Sequence, residues 1–206
     1  MARANEPFGI DKSARVLVIL DMISDFNFPD GAAVLQAARR IAPRIAALKA
    51  RALCAHVPII YVNDNLGRWR SDIQSILAHC QDPSARGRDV VRQIAPGASD
   101  FVLLKPKHSG FYATPLAALL EECGARELIL TGISAHQCVL FTANDAHLRE
   151  LKLIVPSDCV ASAKREQSRF ALRYFKSVLG AQTSQGSRLR LKERRERSSR
   201  RAVVNE

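Results

Sequence analysis

No stretch of this sequence approaches the roughly 18 uninterrupted apolar residues that a membrane span needs. Its opening, MARANEPFGI, lacks the apolar segment of a secretory signal. A soluble, cytoplasmic protein is the expectation. Cysteine is sparse: Cys54, Cys80, Cys123, Cys138 and Cys159 are the whole set, with no C-x-x-C pair among them. That spacing argues against a disulfide scaffold or a zinc finger and predicts reduced thiols. Aromatic residues make up only 6% of the chain, Trp69 is the only tryptophan, and no internal repeat is visible. The composition, 47% hydrophobic and 25% charged, also excludes wholesale disorder.

What is present is enough chain for one large domain, or a domain with a tail, in 206 residues. The net charge of +11 resembles a nucleic-acid signal until it is located. Residues 188–206 hold eight Lys or Arg and three Glu, a net +5, so nearly half of the excess sits in the last tenth of the chain. Serine and arginine dominate from Gln182 onward. The sequence therefore divides into a domain over 1–181 and a basic, disordered tail over 182–206.

Within the domain, short runs rich in Val, Ile and Leu alternate with longer helical patterns, as a buried parallel sheet with crossover helices requires. Strands are expected at 15–20, 58–62, 101–104, 127–131 and 151–155, with a weak sixth near Ala181. Helical patterns cover 41–55, 72–80, 114–123, a segment beginning near Cys138, and 165–179. Pro43 points to a helix that starts there. Thr114-Pro115 reads as an N-cap followed by proline, and Gly124 as a left-handed C-cap.

In an open parallel sheet, ligands bind at the carboxyl ends of the strands. Three polar residues follow the apolar runs: V-L-V-I-L ends in Asp21, V-L-L ends in Lys105, and L-I-L-T-G leads through a short loop to Cys138. Each alone has a bland role, as turn former, surface charge or small buried residue. Together, a carboxylate, an ammonium and a thiol on one edge would make an activated nucleophile. The demanding member is Lys105, whose strand would lie two away from that of Asp21, so its side chain has to reach inward.

The segments V-L-V-I-L-D-M, K-P-K-H-S-G-F-Y-A-T-P-L, L-I-L-T-G-I-S-A-H-Q-C-V and N-D-A-H-L-R-E-L-K-L-I-V-P-S-D-C, in that order, resemble the isochorismatase-like cysteine hydrolases, a group that includes nicotinamidases and N-carbamoylsarcosine amidases. The resemblance runs from about residue 14 to 179. It implies a three-layer α/β/α sandwich around a parallel six-stranded sheet of order 3-2-1-4-5-6, a Rossmann-like α/β fold. It places Asp21, Lys105 and Cys138 on the family's catalytic triad. It implies a non-proline cis peptide at Ile133-Ser134 and an oxyanion hole made by the backbone N–H groups of Ser134 and Cys138. Dimers or tetramers are common in the family, so a homo-oligomer is expected.

Departures from the family pattern narrow the reading. Nicotinamidases carry an Asp-x-His after the second strand to hold a metal, and this chain reads Y-V-N-D-N-L-G-R-W, with Leu66 where the histidine would be. Asp64 alone does not make a closed metal shell, so no metal and no other cofactor is expected. Ala135 replaces the usual threonine of the Gly-x-x-Thr-x-x-Cys segment. Phe26, Asn65, Trp69 and Phe111 are the expected substrate-binding walls, on loops that overhang the same edge. His108 and His136 are read as surface histidines without catalytic duty.

The resulting expectation is a hydrolase acting on a C–N bond of a small amide or ureido substrate through a Cys138 thioester. One rival is vinyl-ether hydrolysis of the isochorismatase type, disfavoured because true isochorismatases often lack the cysteine. A second is a non-enzymatic protein that binds nucleic acid or an acidic partner through the basic tail, disfavoured because no aromatic residue interleaves the tail's charges. A third leaves the thiol to redox chemistry, against which the lack of a neighbouring resolving cysteine counts.

Overall fold

The computed structural model describes residues 10, 12–67 and 72–191. Five strands, β1 (Arg15–Leu20), β2 (Ile59–Asp64), β3 (Phe101–Lys105), β4 (Glu127–Ile133) and β5 (Lys152–Ile154), form a parallel sheet in the order β3-β2-β1-β4-β5. Strand alternation divides the chain's apolar residues between two cores. Leu17, Ile19, Ile59, Tyr61 and Ile129 face one side; Val16, Val18, Leu20, Ile60, Val62, Leu128 and Leu130 face the other. Because both faces are buried, these strands read as continuous hydrophobic runs.

The first side is covered by α1 (Gly31–Cys54), α2 (Ile73–Gln81) and α3 (Arg88–Ile94), the second by α4 (Leu116–Cys123), α5 (Leu140–Leu148) and α6 (Arg165–Ser177). The result is the α/β/α sandwich expected from the sequence. Among the described residues, no helix is long and apolar enough to cross a membrane.

Four details differ from the sequence expectation. The first helix does not start at Pro43. It starts at Gly31 and runs through the proline, which lies on the solvent face, where the carbonyl freed by the missing N–H can turn to water. Helix α3 has no counterpart among the expected helices, because seven residues give too few turns for a periodic signal, although Val90, Val91 and Ile94 do fall on one buried face. The sixth strand, β6 (Val160–Ala161), pairs with the upper half of β4 above β5. In the sixth position of the sheet there is instead one parallel bridge, Gln182 to Ile154.

The fourth difference is at the carboxyl end. Residues 182–191 do not form a disordered segment: Gln182 exchanges backbone hydrogen bonds with Leu153 and Val155, the Arg51 guanidinium donates to the carbonyls of Gly186 and Leu189, and Leu189 and Leu191 are buried. Sparse apolar residues in a basic segment give the composition of disorder, yet two leucines and a backbone ladder suffice to tie the segment down. The rest of the expected tail, 192–206, lies outside the described residues.

Candidate active site

Parallel register brings the ends of β1, β2, β3 and β4 to one edge. Leu20 is level with Val62 and with Gly132, and Asp64 is level with Lys105. Asp21 leaves β1 with φ 52°, a left-handed conformation that aspartate tolerates better than most residues. Its neighbour across the edge is Gly132, at φ 111°, where an added Cβ would lie 2.0 Å from the Leu20 carbonyl oxygen. Only glycine lets β4 pass this close to β1 and then turn out toward Cys138.

The Asp21 carboxylate is held from two directions. Oδ1 accepts the backbone N–H of Asp64 at 2.7 Å, and Oδ2 lies 2.9 Å from Lys105 Nζ. Lys105 is fully buried, so its charge survives only if partnered. Its ammonium also donates to the Lys107 carbonyl at 3.1 Å and to Cys138 Sγ at 3.5 Å, and lies 3.9 Å from Asp64 Oδ2. The three residues singled out from the sequence therefore meet, with the lysine reaching across the end of β2.

Cys138 sits in a widened turn, Ala135–Val139, in which the Val139 N–H bonds back five residues to the Ser134 carbonyl at 3.2 Å; α5 follows directly. Such turns concentrate at functional sites. The peptide bond Ile133-Ser134 is cis, as the resemblance implies. The Thr142 hydroxyl joins this turn to the neighbouring loop, donating to the Cys138 carbonyl at 2.7 Å and accepting the Gly110 N–H at 2.9 Å. The same loop is held again where Ser109 donates to the Asp145 carboxylate.

Burial dominates the proton chemistry. It pushes the Asp21 carboxyl above its ordinary value, against the lowering effect of Lys105 and of the thiol hydrogen bond. It likewise pushes the Cys138 thiol up; the Asp21 charge adds to this and Lys105 opposes it. For Lys105, burial acts against the charged form, but attraction to Asp21 and then to Cys138 outweighs it and leaves the pKa raised. The arrangement is thus a neutral thiol beside a strengthened base and a stable cation, suited to moving the thiol proton onto Asp21 during attack rather than to storing a thiolate.

A cavity of about 570 Å³ opens over the sulfur. Its walls include Asp21, Asp64, Ser134 and Cys138, together with Phe28, Asn63, Leu66, His108 and Gln137. Several expected walls lie elsewhere. Phe26 is fully buried, turned away with φ 54° and packed where Gly87 leaves room, and Phe28 takes its place. Phe111 is buried against the helices, with the Arg149 guanidinium 4.5 Å above its ring. Asn65 is a turn former whose side chain accepts the Gly67 N–H at 3.0 Å. Trp69 lies outside the described residues.

The histidines divide. His136 is off the cavity and bonds Ser162 Oγ at 2.8 Å, and burial lowers its pKa. His108 is exposed, as expected of a surface histidine, and it also lines the cavity with Nδ1 3.8 Å from Cys138 Sγ. Its position three residues after Lys105, in a loop at the catalytic edge, is the signal available in the sequence. Asp64 and Leu66 both face the cavity; the Asp64 carboxylate accepts the Leu66 N–H at 2.7 Å and has the Lys105 ammonium as its neighbour. Among the described residues, no three His, Cys, Asp or Glu side chains converge as a metal-binding group.

Comparison with known proteins supplies a context for this geometry. The family model described as the isochorismatase domain matches residues 15–186. An uncharacterized isochorismatase family protein, YaaI of Bacillus subtilis (strain 168), is 43% identical over 173 residues, covering 84% of this chain and 94% of its own. Enterobactin synthase component B of Escherichia coli (strain K12) is 36% identical over 91 residues, which cover 44% of this chain and only 32% of that protein. The crystal structure of N-carbamoylsarcosine amidase from Thermoplasma acidophilum superimposes with a TM-score of 0.66 at 26% identity, over 86% of this chain and 99% of that one.

Proposed function

This chain belongs to the isochorismatase family, and on that premise we propose that it is a cysteine hydrolase that cleaves the C–N bond of a small amide or ureido substrate, with Asp21, Lys105 and Cys138 as its catalytic residues. One observation carries the reading: the buried Lys105 ammonium lies between the carboxylate at 2.9 Å and the sulfur at 3.5 Å, and Asp21 and Cys138 both line a cavity large enough for a small molecule. Vinyl-ether hydrolysis needs no nucleophile of this kind, and a thiol with its own base favours attack on a carbonyl. The likeness to an amidase of known structure supports the same choice.

In this reading Asp21 takes the thiol proton as Sγ attacks the carbonyl carbon. The oxyanion is received by the N–H groups of Ser134 and Cys138, donors of a kind typically worth about 2.7–4 kcal/mol each. Asp21 returns the proton to the leaving nitrogen, and the acyl group remains on sulfur as a thioester. Asp21 then removes a proton from water as it attacks the thioester, and the thiol is restored. Lys105 keeps the carboxylate ionised and stabilises negative charge on sulfur.

The test is a hydrolysis screen over small amides, carbamoyl compounds and isochorismate, with Cys138→Ala as control and mass spectrometry of trapped acyl-enzyme. Turnover of a C–N substrate that Cys138→Ala abolishes, with the adduct on Cys138, supports the proposal. Undiminished turnover by Cys138→Ala, adducts confined to other cysteines, or hydrolysis of isochorismate alone overturns it.

A further inference from the structure

A carbonyl carbon bonded to Cys138 Sγ carries three other groups, and the surroundings of the sulfur have a sector for each. The oxyanion belongs with the Ser134 and Cys138 N–H groups, and the leaving nitrogen must be within reach of the Asp21 carboxyl that protonates it. The remaining group, the acyl substituent that stays on the enzyme, is left to the third polar neighbour of the sulfur, His108, with Nδ1 3.8 Å away. Resting on the hydrolase reading above, we propose that His108 is the specificity-determining residue for the acyl substituent: its imidazole admits a small hydrogen-bonding group, such as the amino group of a carbamoyl unit, and turns away branched carbon.

The imidazole is exposed at the cavity, and the backbone on either side of it is anchored. On one side of it the Lys107 carbonyl accepts from the buried Lys105 ammonium at 3.1 Å. On the other, Ser109 is bonded to Asp145, and the Gly110 N–H to Thr142 at 2.9 Å. The ring itself packs against Phe141, centroid to centroid 5.4 Å. With both flanks of the loop fixed to α5 and the catalytic lysine, the backbone carrying His108 is held beside the thiol, and Nδ1 lies 3.8 Å from Sγ. A substituent on the acyl carbon sits beside an imidazole nitrogen at hydrogen-bonding range, which suits an N–H better than a second methyl. Sites that hydrogen-bond a substrate group discriminate strongly against analogues that lack it, whereas a purely apolar wall separates them weakly.

The test needs no knowledge of the natural substrate: the full-length protein is acylated with p-nitrophenyl carbamate, acetate and isobutyrate. In each case the S–C bond forms as the C–O bond breaks, the electron pair leaves with p-nitrophenolate, and the thiol proton passes to Asp21. The burst of p-nitrophenolate gives the rate, and intact-protein mass with Cys138→Ala as control locates the adduct. Wild type is expected to favour carbamate and acetate over isobutyrate. In His108→Ala the isobutyrate-to-acetate ratio should rise about tenfold or more, and the carbamate-to-acetate ratio should fall. His108→Asn, which restores a hydrogen-bonding side chain, should recover part of the carbamate preference. Both ratios unchanged in His108→Ala, with Cys138 still acylated, would overturn this inference and leave the hydrolase reading standing. Absence of any adduct on Cys138 would overturn the hydrolase reading itself, and this inference with it.

Discussion

Lys105 Nζ and Asp21 Oδ2 lie 2.9 Å apart although β2 separates their strands in the sheet. The link is made over the end of β2, whose last residue, Asp64, gives its N–H to the same carboxylate and sits level with Lys105. A carboxylate that ties three strand ends together is a structural clamp and, in the proposed mechanism, also the base. On that proposal its protonation governs the chemistry, and its neighbours govern its protonation.

In the proposed mechanism the acid limb of the pH profile belongs to this carboxylate. The proposed mechanism requires ionised Asp21, and burial raises its pKa above the ordinary carboxylate value, so kcat/KM should begin to fall at a higher pH than a solvated aspartate would give. The nearby charge of Asp64 pushes Asp21 in the same direction. Asp64→Asn removes that push, and the acid limb should move to lower pH, as a pH series of kcat/KM on wild type and variant would measure. Movement to higher pH would contradict the assignment of Asp21 as base.

Gly132→Ala places a Cβ 2.0 Å from the Leu20 carbonyl oxygen at a φ of 111°, where backbone and not a flexible side chain must yield. Loss of stability of at least about 3 kcal/mol is expected, read from the denaturant midpoint. Gly124→Ala serves as the comparison: a Cβ there meets nothing within 4 Å and only the strain of φ 71° is added, so a loss nearer about 1 kcal/mol is expected.

Thr142→Val keeps the shape and deletes the hydroxyl that connects the Cys138 turn to the Gly110 loop. It leaves the buried Gly110 N–H without this partner and removes one donor from the Cys138 carbonyl, which should cost about 1–3 kcal/mol in urea titration. Because that hydroxyl also fixes the turn carrying the thiol, the rate of Cys138 acylation should fall along with stability. Thr142→Ser, which retains the bond, should restore most of both.

Truncation separates the packed segment that ends at Leu191 from residues 192–206. A chain ending at Leu191 should unfold like the full-length protein, whereas one ending at Gly180 loses the Gln182 ladder and two buried leucines, the latter worth about 1.5–3 kcal/mol each. Thermal melts of the three chains test this. A salt-dependent nucleic-acid binding assay on the same set tests the rival reading of the basic tail: binding by full-length protein that survives truncation at Leu191 would remove the tail from that role.

The strands were legible because a sheet buried on both faces demands unbroken Val, Ile and Leu runs, and those runs end where the polar residues begin. The same runs single out the edge carrying Asp21, Lys105 and Cys138, and a glycine at a helix end marks the cap at Gly124. The helix through Pro43 and the short α3 were not legible, since a proline on a solvent face breaks a local rule that tertiary packing overrides.

By itself, the sequence determined the order of the elements and the chemical kinds of group gathered at one sheet edge, because hydrophobic periodicity and strand-end position are local properties. Only the tertiary structure decided which side chains turn toward the sulfur. Phe28 and His108 line the cavity over it while Phe26 and Phe111 are buried elsewhere, because the direction of a loop side chain depends on backbone angles and on packing partners distant in the chain.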